Sequence, residues 1–236
     1  MMPISMLKQL SSQVYVFPMD ENSERVQPNV GVIHTHSQTI LIDTGNGPRR
    51  ARQIAMELAA MDLPPVRTII YTHHHWEHVF GAQVYHAPTI IAHEACHQHL
   101  QSWLSRPLSA NLPELRSQAM NLAISDWRDF HICLPTMTFS HQLSLHIEDI
   151  RLELTHFASP HGDDNILIYL PEHGVRFVGD GLYPALSPTR QEDMPQSPDS
   201  HLLHSLLGDD ISYLVTGHHP LYHRQQWLDF LHTPAS

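Results

Sequence analysis

The sequence predicts an α/β fold in which two β-sheets pack face to face with helices outside, in one domain spanning residues 1–236. Three observations predict it. Strand-like segments give way to helix-like ones, and the series runs again in the second half. The strand-like segments are short, rich in β-branched residues and bounded by turn residues. No low-complexity linker separates the halves. The halves share no strong identity, so the repeat is one of pattern.

The elements follow in order. "QVYVFPM" alternates as a strand does, and "NVGVIHTHSQTILIDTG" reads as two strands with a polar turn near Ser37 and Gln38. Asp43-Thr44-Gly45 closes the second. "PRRARQIAMELAAM" places Ile54, Met56, Leu58 and Ala59 at helical positions, and Pro48 suits a helix start. "PVRTIIYT" and "APTIIAH" are apolar β-branched runs of buried strands. From Glu94 to about Arg128 the pattern is helical, broken at Pro107 and Pro113. "TFSHQLSLHIEDIRLELTHF" reads as a meander of strands, and "NILIYLPEHGVRFVGD" as a hairpin turning at Glu172-His173-Gly174. "PDSHLLHSLLGD" reads as a helix, "ISYLVTGHHP" as a strand ending in a histidine loop, and "HRQQWLDFLH" as a closing helix.

Composition narrows the function. The 236 residues are 42% apolar and 16% charged, as in a compact globule. The formal charge is −11, and the 13 Lys and Arg are scattered, which argues against a nucleic-acid backbone as partner. No apolar run approaches the roughly 20 residues of a membrane-spanning helix, so no membrane partner is expected. The N-terminal segment lacks the apolar core and cleavage site of an export signal, so the expected compartment is the cytoplasm. Cys96 and Cys133 have no CxxC spacing and are expected as small buried residues. Oligomeric state leaves no signature in the sequence.

The 22 histidines are the unusual number, and "YTHHHWEHVFGAQ", residues 71–83, concentrates them. An extended segment sends alternate side chains to opposite sides. If Thr72 to His75 is extended, His73 and His75 face one way and His74 the other. A helix starting near Trp76 then turns Glu77 and His78 toward the same cavity. Imidazoles at i and i+2, followed by a carboxylate and a third imidazole, suit one or two divalent metals. A solvated loop would not ordinarily follow so apolar a strand with four histidines.

These residues resemble a known family. "THHHWEH" is similar to the His-x-His-x-Asp-His signature of the metallo-β-lactamase superfamily. "ILIDTG", "SPHGDDNILIYLP", "FVGD" and "VTGHHP" resemble its other motifs, in the family's order. The resemblance implies a four-layer αβ/βα sandwich of two mixed, mostly antiparallel sheets flanked by helices, with a metal site at one edge. It implies that His73, His75 and His161 hold a first ion, that Glu77, His78 and His218 hold a second, and that Asp180 bridges them. Asp43 matches a position that supports the ligand loops. Glu77 stands where the family has Asp; its extra methylene raises the question of whether the second ion binds as it does in relatives. His156 competes with His161, and His219 with His218; position before "GDDNILIYLP" and after Gly217 favours His161 and His218.

The other histidines read as bland. His34 and His36 alternate on a strand as surface residues, His93 opens a helix, and His97 and His99 are solvated helix positions. Trp76 and Tyr183 are either pocket wall or core.

The implied function is a metal-dependent hydrolase for a small-molecule substrate. It would use a metal-bound hydroxide, with Asp180 and Glu77 in the catalytic centre, to cleave an ester, thioester, lactone or amide. One or two ions are implied, zinc first, with iron or manganese as alternatives. Two other classes compete: a mononuclear-iron oxidoreductase of the persulfide-dioxygenase type, held by His73, His161 and Asp180, and a non-catalytic metal-binding protein. Specificity is expected from the segment between Trp103 and Trp127 and from the loop "YPALSPTRQEDMPQSP".

Overall fold

A computed structural model of the chain describes residues 6–22, 26–105, 130–183 and 198–232. The specificity segments expected above fall largely at 106–129 and 184–197, outside the described residues.

The first sheet has seven strands in chain order: β1 (Lys8–Gln9), β2 (Val14–Phe17), β3 (Val30–His34), β4 (Thr39–Ile42), β5 (Val66–Ile70), β6 (Thr89–His93) and β7 (Met137–Phe139). β1 to β4 run antiparallel, while β4 to β7 are parallel neighbours. Helices α1 (Pro48–Ala60), α2 (Trp76–Val79) and α3 (Glu94–Leu104) lie in the crossovers that parallel pairing requires. The second sheet has β8 (Gln142–Ile147), β9 (Ile150–His156), β10 (Ile166–Leu170), β11 (Val175–Gly179), β12 (Tyr213–Thr216) and β13 (Tyr222–His223), ordered β13-β12-β11-β10-β9-β8. Only β11 and β12 are parallel there; α4 (Ser200–Leu206) makes their crossover, and α5 (Arg224–His232) follows β13.

Alternation explains the layers. Ile40 and Ile42 of β4 face the second sheet and pack with Leu152, Leu154, Ile166 and Ile168. Leu41, between them, faces the opposite way and packs with Ile54 and Leu58 of α1. All four residues of β4 are buried because both its faces are covered. On the far side of the second sheet, Val178 and Leu214 pack with Leu203 of α4 and Trp227 of α5. Helix, sheet, sheet, helix is thus the order of layers. Fully burying a side chain such as Ile or Leu contributes about 1.5–3 kcal/mol, so the layer between the sheets and the layer under α1 to α3 both contribute heavily to stability.

Two sequence expectations change. "TFSHQLSLHIEDIRLELTHF" is not one meander. β7 pairs in parallel with β6, and only β8 and β9 form a hairpin in the other sheet. The chain changes sheets at Ser140–His141, where His93 Nε2 donates to the Ser140 carbonyl at 2.9 Å. His36 lies in the turn after β3, not on a strand, because Thr35 already bonds to Gln38 to close the loop.

Parallel pairing places the C-terminal ends of β4 and β5 together, and those of β11 and β12 together. The residues following these four strands are Asp43, Thr72 to His75, Asp180 and Gly217-His218. Crevices outside the carboxyl ends of parallel strands are where open α/β sheets bind ligands.

Candidate metal centre

Asp43 anchors the site. It sits at the end of β4 with φ 61°, a left-handed conformation that Asp tolerates better than most residues. Its Oδ1 accepts from the Thr72 backbone N–H at 2.8 Å. Its Oδ2 accepts from Thr72 Oγ1 at 2.7 Å and from His78 Nδ1 at 2.7 Å. Thr72 Oγ1 therefore has its proton committed, and it accepts from His73 Nδ1 at 3.1 Å. Both rings donate from Nδ1 and turn Nε2 to the cavity, where a cation would displace any proton that Nε2 carries. One carboxylate thus fixes the tautomer of two imidazoles.

The histidine stretch follows β5 and turns into α2 at Trp76, with His75 capping the helix. Two groups of side chains converge. His73, His75, His161 and Asp180 place one ligand atom each within 4.8 Å of one another, and so do Glu77, His78, Asp180 and His218. Asp180 belongs to both. Its Oδ2 lies 3.3 Å from His218 Nε2, 3.5 Å from His78 Nε2, 3.6 Å from His161 Nε2 and 4.0 Å from His73 Nε2. His75 Nδ1 and His161 Nε2 are 2.9 Å apart. Glu77 Oε1 stands 3.9 Å from His218 Nε2. The longer Glu77 side chain therefore reaches the second group from the first turn of α2.

The donor set fits divalent ions. Five buried polar atoms here have no hydrogen-bond partner among the described residues: His73 Nε2, His78 Nε2, His218 Nε2, Glu77 Oε2 and Asp180 Oδ1. Each such atom costs about 1–3 kcal/mol when left unsatisfied. Five in one cavity, all imidazole nitrogen or carboxylate oxygen, match what a zinc-type ion takes. Burial, reinforced by neighbouring imidazoles, pushes His73 and His75 well below the usual histidine range, so protons compete little for their nitrogens. Burial also pushes His78 down, but Asp180 and Asp43 outweigh it and hold that ring well above its ordinary value. Burial raises Asp180, yet His218 and His78 keep its carboxyl well below the usual range. Asp180 is therefore an anion ready for a cation.

The remaining candidates fall elsewhere. His156 stacks on His93 at 3.8 Å and donates from Nε2 to the Asp163 carbonyl at 2.7 Å, outside both groups. His219 packs among Tyr222, Trp227 and Phe230. Trp76 packs on Phe80 in the core, while Tyr183 is buried beside the centre: it donates to Thr216 Oγ1 at 3.1 Å, and its ring centroid lies 6.5 Å from that of His218. Cys96 is buried and Cys133 half-buried. Two contributors have roles that the sequence does not signal. Thr72 relays Asp43 to His73, and its place directly after an apolar strand gives no signal. Gly217 packs so tightly that a Cβ would lie 1.9 Å from Asp180 Oδ1.

Asp43→Asn should lower metal affinity about 10–100-fold, the usual effect of losing a partner of metal-binding side chains. An amide cannot accept from Thr72 and His78 through the same nitrogen position. Competition with a chromophoric chelator measures the loss; an unchanged affinity would remove Asp43 from this role.

The sequence profile of the metallo-beta-lactamase superfamily matches residues 24–218. A linear primary-alkylsulfatase of Pseudomonas sp. is 25% identical over 158 residues, covering 58% of this chain and 30% of that protein. The chain thus spans under a third of that curated relative. Among solved structures, a stereoselective inverting sec-alkylsulfatase from Pseudomonas sp. superposes with TM-score 0.68 and 17% identity, over 97% of this chain and 40% of that one. A metallo-beta-lactamase from Pontibacter korlensis superposes with TM-score 0.64 and 18% identity, over 95% and 96% of the two chains.

Proposed function

The chain belongs to the metallo-beta-lactamase superfamily, and from that premise we propose that it is a metal-dependent hydrolase of an ester-type bond in a small molecule: an ester, thioester, lactone or amide. The observation that supports this most is the shared Asp180 between two complete ligand groups, with Glu77 inside the second. His73, His75, His161 and Asp180 would hold one ion; Glu77, His78, His218 and Asp180 would hold the other. Such ions supply Lewis acidity and make water acidic enough to act as a nucleophile near neutral pH.

The chain's own residues do the rest. Asp43 and Thr72 keep His73 and His78 in the tautomer that offers Nε2. Asp180 keeps negative charge between four imidazoles, where the reacting oxygen must be steered. Burial of Asp43, His73, His78 and Asp180 lowers the local dielectric and strengthens each of these interactions. Hydrolysis adds a hydroxyl to the acyl or sulfuryl centre and a proton to the leaving oxygen, sulfur or nitrogen. No oxidant is needed. The completeness of the second group favours this chemistry over the mononuclear-iron alternative. Among ester substrates, an alkyl sulfate is favoured by the similarity to the Pseudomonas alkylsulfatase.

The test is metal content per chain by mass spectrometry, on untagged wild type and Glu77→Asp, followed by assay against alkyl sulfates, carboxylic esters, thioesters, lactones and amides. About two zinc ions per wild-type chain with turnover of one class is expected. One ion, rising to two in Glu77→Asp, would set the centre as mononuclear. Two ions with no turnover of any class would sink the hydrolase reading.

A further inference from the structure

Outside the centre, His74, His99 and Asp164 form a third group whose ligand atoms lie within 4.8 Å of one another. We propose that this group is a separate, peripheral binding site for a zinc-type divalent ion, tying α3 to the ligand loop that carries His73 and His75.

The residues come from three segments. His74 points out of the main centre, as alternation along Thr72 to His75 requires. Its Nδ1 is 3.0 Å from Asp164 Oδ2, which also accepts from the His74 backbone N–H at 2.8 Å. Asp164 follows His161 in the loop between β9 and β10. His99, on α3, lays its ring over that of His74, with centroids 4.3 Å apart. His99 Nε2 contacts exposed Asp163 Oδ1 at 2.8 Å, so a second carboxylate is at hand.

A purely structural role explains only part of this. A loop clamp needs Asp164 Oδ2 alone. Yet the Asp164 side chain is 0% exposed, and its Oδ1 has no hydrogen-bond partner among the described residues. Burial, and then the Asp164 carboxylate beside it, push up the pKa of the buried Cys96 thiol, one helical turn before His99; a thiol is only a weak donor and leaves the carboxylate's charge uncompensated. A buried carboxylate met on that side by no more than a thiol, beside two imidazoles, is costly without a cation. Two imidazoles and a carboxylate are also the donor set of a borderline-soft divalent ion, whereas magnesium and calcium prefer oxygen alone. The rims differ in access. His74 and His99 side chains are 18% and 39% exposed, while His73 and His78 are almost wholly buried. The peripheral site should therefore exchange its ion faster than the centre.

The probe is zinc alone, titrated into the metal-stripped full chain and counted by native mass spectrometry. Wild type is expected to bind one zinc more than His99→Ala, whatever number the main centre holds. Because the count is a difference, failure of the dinuclear reading would not mimic failure here. In parallel, diethyl pyrocarbonate labelling with peptide mapping reads His99 directly, and zinc added beyond the centre's capacity is expected to protect it. Equal zinc counts in wild type and His99→Ala would overturn the site. If His99→Ala does not fold, unchanged labelling of wild-type His99 with and without zinc overturns it instead.

Discussion

Asp180→Asn is expected to lower kcat/KM by about 10²–10³-fold, the scale seen when one preorganised electrostatic contact is removed from a catalytic centre. One oxygen, Oδ2, stands within 3.3–4.0 Å of four imidazole nitrogens, those of His218, His78, His161 and His73. Asparagine keeps the volume and loses the charge. The two groups respond unequally. The second retains Glu77, whereas the first is left with His73, His75 and His161 and no anion. Its ion should be lost first, so metal content should fall to one or below. If Asp180 were only structural, the variant would melt earlier while keeping its ions and its activity per folded molecule. Metal content, melting temperature and kcat/KM measured on one preparation separate the two. Full metal content with wild-type turnover would refute a shared carboxylate.

Much of this site could be read from the residues because short motifs follow strand ends. "THHHWEH" comes straight after the apolar run "PVRTIIYT", and alternation alone separates His73 and His75 from His74. Position before "GDDNILIYLP" favours His161 over His156, and the structure brings His161 beside His75 while His156 stacks on His93. What could not be read depends on contacts between distant segments. Nothing in "MTF" tells that β7 joins β6 across the 43 residues 94–136 rather than β8 a few residues on. Periodicity gives a strand its two faces but not its neighbour. Thr72 and Gly217 are silent for the same reason: a hydroxyl that relays a carboxylate, and a missing Cβ that makes room for one, have meaning only after the four strand ends meet. The Asp-to-Glu change at Glu77 was legible as a departure but not in its consequence. The outcome depended on how the first turn of α2 aims that side chain.

Gly217→Ala should cut activity about 100-fold, the cost of displacing a reacting group by roughly 1 Å, while changing the melting temperature little. The glycine is not one of those with positive φ, so alanine carries no backbone penalty there. The conflict is with the centre alone. An added Cβ would lie 1.9 Å from Asp180 Oδ1 and 3.0 Å from His78 Cε1. The backbone cannot easily retreat. Gly217 N–H donates to the Gly179 carbonyl at 2.8 Å, and its own carbonyl accepts from Asn29 N–H at 2.7 Å. The Asp180 carboxylate must therefore rotate away from the imidazoles it faces. Gly174→Ala makes the converse case at the far end of β11. There φ is 60°, and alanine should cost about 1–2 kcal/mol of stability from left-handed backbone strain. Activity and metal content should stay at wild-type levels, because its neighbours are Asp210 and Ser212 rather than any ligand. Thermal melts and zinc counts on the two variants should thus move in opposite columns: stability without metal for Gly174, metal and turnover without stability for Gly217. If Gly217→Ala instead kept full activity, Asp180 would tolerate a shift of its carboxylate, and its place between the two ligand groups would not be the source of catalysis.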